Sequence, residues 1–93
     1  MTPQDYRDLI QAFLDQNLSI EEFEKQYLAA FKAEPGGMDR RLYEILEDLF
    51  EDVDAYSPLW SPADENWYRI TEPTLRKEAQ NALHELDALI SSG

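Results

Sequence analysis

The sequence predicts an all-α domain, a small antiparallel four-helix bundle. Three observations carry that reading. Apolar residues recur at helical spacing in four separate stretches, with polar residues between them. Helix-start residues stand before these stretches, and Pro or Gly breakers follow two of them. No segment shows a convincing strand alternation. A chain of 93 residues holds one domain. Each helix has a single apolar side, so each must bury it against the others.

Thr2 opens the first helix as N-cap, and Pro3 follows where its missing N–H costs nothing. Tyr6, Leu9, Ile10, Phe13 and Leu14 form the apolar stripe, and Asn17 closes the element. Ser19 opens the second helix, with Glu22 three residues on to complete a capping box. Leu18 is placed to staple onto Phe23. The stripe is Ile20, Phe23, Tyr27, Leu28 and Phe31, and Pro35-Gly36-Gly37 ends it. The third helix runs from about Asp39 to Tyr56, with Leu42, Ile45, Leu46, Leu49, Phe50 and Val53 on its apolar face. Pro58 and Pro62 stop it. A loop over residues 57–68 follows, with three large aromatics, Trp60, Trp67 and Tyr68. Loops of this length without a role are uncommon. Thr71 caps the fourth helix, and Ile70 and Leu75 form a second staple. Leu75, Ala79, Ala82, Leu83, Leu86, Leu89 and Ile90 mark its stripe, and Ser91-Ser92-Gly93 is a frayed tail.

The formal net charge is −12, and it is unevenly spread. Between Leu42 and Tyr68 stand Glu44, Glu47, Asp48, Glu51, Asp52, Asp54, Asp64 and Glu65, with no Lys, Arg or His. At about 100° per residue the six carboxylates on the third helix centre near Glu51, opposite the apolar face. Most charge runs are solvated faces, but those usually mix signs. Here Glu44/Asp48, Glu47/Glu51 and Asp48/Asp52 repel at i,i+4, at a cost of roughly 0.2–0.5 kcal/mol each. Asp52 and Asp54 also oppose the helix dipole, whose C-terminal end prefers cations. A basic partner explains why a helix carries them. Tyr56, Trp60, Trp67 and Tyr68 flank the acids, and Tyr and Trp are frequent interface anchors. A competing role for the tryptophans is to plug the end of the bundle.

Other chemistry finds little support. With no cysteine there is no disulfide, zinc knuckle or thiol nucleophile. The one histidine, His84, falls opposite the fourth apolar stripe and is expected to be exposed and idle. Asp52-Val53-Asp54 lacks the glycine and terminal glutamate of a calcium loop. Ser57 lacks the Asp-Ser-Leu context of a carrier protein's attachment site. No enzymatic activity, cofactor or metal is expected. The acidic balance argues against direct binding of nucleic acid or an anionic membrane. Met1-Thr2-Pro3-Gln4-Asp5 has no secretory character. No apolar run reaches the roughly 18 residues of a membrane span. The expectation is a soluble, cytoplasmic, monomeric protein.

Leu18-Ser19-Ile20-Glu21-Glu22-Phe23-Glu24, with Tyr27-Leu28 and Phe31-Lys32, resembles the first half of the colicin D-type immunity family. That family includes immunity proteins of contact-dependent inhibition systems. The stretch from Leu46 through Val53-Asp54-Ala55-Tyr56-Ser57-Pro58 resembles its most specific block, and Thr71-Glu72-Pro73-Thr74-Leu75-Arg76 resembles the entry to its last helix. The likeness runs from about Asp5 to Leu89. It implies a four-helix bundle that neutralises a cognate toxin, often a tRNA-cleaving nuclease domain, as a 1:1 complex. It further implies that carboxylates at the end of the third helix and in the following loop occupy the toxin's basic cleft in place of phosphates. Asp54 matches the family's acidic position. Ser57 departs from a carboxylate in the colicin D branch, and Asp64 or Glu65 is the candidate replacement. Trp67-Tyr68 only loosely echoes the paired tyrosines of the DNase-type immunity proteins. The expected contact set is Asp48, Glu51, Asp52, Asp54, Tyr56, Trp60, Asp64, Glu65, Trp67 and Tyr68. The alternative is an acidic adaptor or nucleic-acid mimic that binds another basic protein.

Overall fold

Four helices form, in the predicted order: α1 (Pro3–Leu14), α2 (Ile20–Lys32), α3 (Arg40–Ala55) and α4 (Glu72–Ser92). The computed structural model describes residues 1–66 and 69–92. The candidate anchors Trp67 and Tyr68, and Gly93 of the predicted tail, lie outside the described residues. α1 packs on α2 and α4, and α3 packs on the same two helices, so the four close a ring. No strand forms among the described residues. Tyr56 and Ile70 make an isolated parallel bridge, and Asn66 and Arg69 an antiparallel one.

The helix starts follow the local chemistry, with corrections. Thr2 caps α1 in a full capping box with Asp5, a partner the sequence analysis passed over: Asp5 N–H donates to Thr2 Oγ1 at 3.1 Å and Thr2 N–H to Asp5 Oδ2 at 2.9 Å. The box expected at Ser19 is only half made. Its hydroxyl accepts the Glu22 N–H at 3.2 Å, without the reciprocal side-chain bond. Asp39 caps α3 by accepting the N–H groups of Arg41 and Leu42. Thr71 does precede α4, and its carbonyl accepts the Leu75 N–H at 2.9 Å. Its hydroxyl, however, donates to Glu65 Oε2 at 2.8 Å, and its N–H donates to the same oxygen at 3.1 Å. Ser91 and Ser92, expected to fray, are helical.

The end of α1 also differs. Asn17 does not belong to the helix, which stops at Leu14. Gln16 takes φ +64°. Its N–H reaches the Phe13 carbonyl at 3.1 Å, and the Asn17 N–H reaches Ala12 at 2.9 Å. This is a Schellman turn with glutamine at the left-handed position that glycine fills best.

The core is aromatic on one side and aliphatic on the other. Phe13 of α1 and Phe23 of α2 stack at 4.3 Å. Tyr27 sits 5.6 Å from Phe23 and 6.0 Å from Tyr6. Facing them are Leu46, Leu49 and Val53 of α3 and Leu75, Ala79 and Leu86 of α4, all buried. The apolar stripes read from the sequence are thus the core, with Leu9, Leu14, Leu28, Phe31, Ile45, Phe50 and Leu89 packed at its margin, except that Ile90, expected on the fourth stripe, is half-buried and outside it. The buried Tyr27 hydroxyl donates to the Leu46 carbonyl at 2.6 Å, tying α2 to α3. Arg76 of α4 donates to the Phe13 carbonyl at 3.2 Å, satisfying an acceptor at the end of α1, and its guanidinium lies 4.5 Å from the Phe13 ring centre. Arg7 pairs with Asp87 at 2.8 Å along the same α1–α4 seam.

Replacing Gln16 with glycine is expected to raise stability by about 0.5–1 kcal/mol, because it removes the left-handed penalty at an exposed position. Thermal unfolding of Gln16→Gly beside the wild type measures this. An unchanged or lower Tm would count against the Schellman geometry.

Candidate functional site

The outer face of α3 is acidic, as its wheel indicates. Glu44, Asp48, Glu51 and Asp54 are exposed, while Glu47 and Asp52 are half-buried. The expectation that nothing internal compensates this face needs one correction. Arg40, just ahead of the cation-free window, pairs with Glu44 at 3.2 Å. Tyr43 donates its hydroxyl to Glu47 at 3.3 Å. Asp48, Glu51, Asp52 and Asp54 enter none of the ion pairs formed among the described residues.

Packing of α3 against α4 adds acids from outside the cation-free window. Asp48 and Asp52 line a groove of about 340 Å³, and Glu78, His84 and Glu85 of α4 form its opposite wall. Asp52 is therefore not on a fully solvated face but at a helix seam. Burial pushes its carboxyl up to about 6, and the charges of Glu78, Asp48 and Glu51 push the same way. His84 is exposed, as expected.

A second convergence lies at the end of the bundle where α2 begins, α3 stops and α4 begins. Burial raises the Glu24 carboxyl, with further contributions from Glu21 and Asp54. Burial likewise raises the Tyr56 hydroxyl, helped by Glu72, Glu21 and Glu24 and opposed by Arg76. Asp54 and Tyr56 thus stand among carboxylates from two other helices. Glu21 and Glu24 lie some thirty positions upstream of Asp54 in the chain. An antiparallel run of α2 and α3 puts the start of one near the end of the other, but which residues meet there is set by packing.

The loop after α3 is tied to its own base. The Ala55 carbonyl, an orphan acceptor at a helix end, takes the Trp60 indole N–H at 3.2 Å and the Ile70 N–H at 3.1 Å. The Arg69 guanidinium lies 4.9 Å from the Trp60 ring centre. Trp60 is half-buried, and this contact is close to the plugging role weighed against an anchor. Asp64 accepts both the N–H and the hydroxyl of Ser61 at 3.0 Å, closing a single 3-10 turn at Pro62–Asp64. These bonds hold its carboxyl below the usual range, the backbone bond most of all. Glu65 is held below its ordinary range as well, first by the Thr74 hydroxyl and then by Thr71. Both loop carboxylates therefore have structural work at a turn and at the start of α4.

Ser57 is a turn residue whose Oγ accepts the Leu59 N–H at 3.2 Å. Asp52-Val53-Asp54 is helical, so it is not a loop. Among the described residues no group of three or more His, Asp or Glu side chains could hold a metal ion. No helix among them is long and apolar enough to cross a membrane.

The raised carboxyl of Asp52 fixes a pH dependence. An unfolded aspartate keeps its ordinary value of 3.8, while the folded one holds its proton up to about 6. Between those values the folded state binds the extra proton, so stability grows as pH falls from 7.5 to 5 and is lost as pH rises again. Glu24 acts in the same direction. The gain from Asp52 is about 1 kcal/mol once its half-exposed position is discounted. Asp52→Asn should raise Tm at pH 7.5 and flatten the profile. A wild-type Tm that falls between pH 7.5 and 5 would contradict the raised carboxyl.

Comparison with known proteins gives one family. The family model described as bacterial self-protective colicin-like immunity matches residues 1–86. No curated protein and no solved structure matches the chain significantly. The match covers all of α1, α2 and α3 and most of α4, and it includes every acidic residue of this site. Members of such a family are inhibitors of a toxin rather than enzymes, and this chain belongs to the bacterial self-protective colicin-like immunity family.

Proposed function

We propose that this immunity protein neutralises a nuclease toxin, an RNase domain that cleaves tRNA, by filling its basic cleft with carboxylates. The observation that carries this reading is the placement of Asp48, Glu51, Asp52 and Asp54. They run down α3 outside every ion pair formed among the described residues, toward Glu21 and Glu24 at the bundle end. A nuclease must hold phosphates with Lys and Arg, so its cleft is electropositive. A row of carboxylates on a rigid helix offers that cleft the charge of a phosphate chain without a bond to cut. Family membership favours a toxin over a general basic partner.

The inhibition involves no chemistry. Net charge of −12 steers the encounter, with on-rates toward roughly 10⁸–10⁹ M⁻¹s⁻¹ at low salt. Ion pairs that lose water in the complex, with Tyr56 and Trp60 beside them, slow release. The position of Asp52 supports this role. Burial is the main cause of its raised carboxyl, and a cation brought into the α3–α4 groove offsets both that burial and the added repulsion from Glu78 and Asp48. Self-repulsion favours a monomer that pairs 1:1 with the toxin in the cytoplasm of the producing cell. Trp67 and Tyr68 belong to the same proposed surface by their place in the chain.

The test is a double charge reversal, Glu51→Lys with Asp54→Lys. Against a nuclease toxin domain whose toxicity co-expression of this protein relieves, affinity should fall by at least about 100-fold, because like charges across an interface cost several kcal/mol. Helical content by circular dichroism should persist, since both residues are exposed. Undiminished affinity of the double variant would reject the α3 face.

A further inference from the structure

Leu59 is the most exposed large hydrophobic residue among the described residues, at 84%, against 50% for Met1 and 44% for Tyr43. A single exposed leucine is ordinary on a protein surface. This one is set apart by how it is held. Pro58 precedes it, and Pro62 stands three residues after it, each with a fixed φ. The Leu59 N–H donates to Ser57 Oγ at 3.2 Å, and the following Trp60 N–H donates to the Ser57 carbonyl at 3.2 Å. Trp60 is in turn bonded through its indole to Ala55, the last residue of α3. The turn that carries Leu59 is thus fastened to the helix that carries the acids.

The side chain also forgoes a nearby apolar site. A groove of about 340 Å³ lies at the base of the loop, lined by Tyr56, Pro58, Trp60, Pro62 and Pro73, with Glu72 in its wall. Leu59 is not among the lining residues. A slack loop would drop an isobutyl group into such a groove. The turn keeps it out. The loop that carries it joins two helix ends that meet at the Ala55 carbonyl, with exposed Asp54 beside one and exposed Glu72 at the other, and the Arg69 guanidinium lies against Trp60.

We propose that Leu59 is a preorganised apolar anchor of the inhibitor, entering a hydrophobic socket bordered by Lys or Arg side chains on the toxin domain. The socket's cationic border follows from the exposed carboxylates at the two helix ends that the loop joins and from the net charge of −12. This rests on the immunity reading given above and adds to it a contact that charge does not supply. Rim charges set the on-rate and partner choice, while a desolvated apolar anchor governs release. Because the turn is already fixed, little conformational freedom is lost when the anchor docks.

The experiment compares Leu59→Ala and Leu59→Asp with the wild type by surface plasmon resonance against a nuclease toxin domain whose toxicity co-expression of this protein relieves. Both variants should keep the wild-type Tm within about 2 °C, since the side chain is exposed. Leu59→Ala should dissociate about tenfold faster or more. Leu59→Asp separates the two ideas by sign. If charge alone grips the toxin, the added carboxylate leaves binding as tight or tighter. If the side chain fills a socket, Leu59→Asp dissociates faster still than Leu59→Ala. Wild-type dissociation rates for both variants would overturn the anchor and leave the immunity reading standing. Failure of the wild type itself to bind that domain would overturn both, before any substitution is compared.

Discussion

The rings of Tyr6, Phe13, Phe23 and Tyr27 hold α1 and α2 together as one apolar wall, and α3 is pressed onto that wall. Everything negative on the outside depends on this contact. Carboxylates on separate helices would drift apart in a loose chain. Here aromatic packing and the Tyr27 hydroxyl bond to Leu46 fix α2 against α3. The packing forces Glu21 and Glu24 toward Asp54, and α4 brings Glu78 toward Asp52. The raised carboxyls of Glu24 and Asp52 mark where packing has buried acids and, secondarily, brought like charges together.

The cations are placed where they serve the scaffold. Arg7 and Arg76 act on the α1–α4 seam, one on Asp87 and the other on the end of α1. Arg40 holds Glu44 at the start of α3. None of these three forms an ion pair with a carboxylate on the later turns of α3. Twenty acids and eight bases would permit a mixed surface. The arrangement instead leaves one side of the bundle electrostatically unbalanced. That imbalance destabilises the folded chain and favours a basic partner, which is the exchange expected of an inhibitor that works by charge.

The loop after α3 follows a different principle. Backbone groups left over at the end of one helix and the start of the next are satisfied by Trp60, Ile70 and Glu65. These bonds make the connection an extension of the helices. Residues with a structural bond there, Asp64 and Glu65, are less available as contacts than their charge suggests.

Helix number, helix order and the inward stripes were legible in the sequence, because apolar spacing and capping chemistry are local. So was the acidic side of α3, since a helix wheel needs no tertiary information. The chain family was legible in the Val53-Asp54-Ala55-Tyr56 block and its neighbours. Local signals did not show that α1 stops at Leu14, because a glutamine at a left-handed position carries no signature. They could not place Glu21, Glu24, Glu72 and Glu78 beside the α3 acids. Nor could they show that Glu65 holds the start of α4. Those facts belong to tertiary structure alone, because proximity between helices is set by how their apolar faces fit and not by any residue's neighbours in the chain.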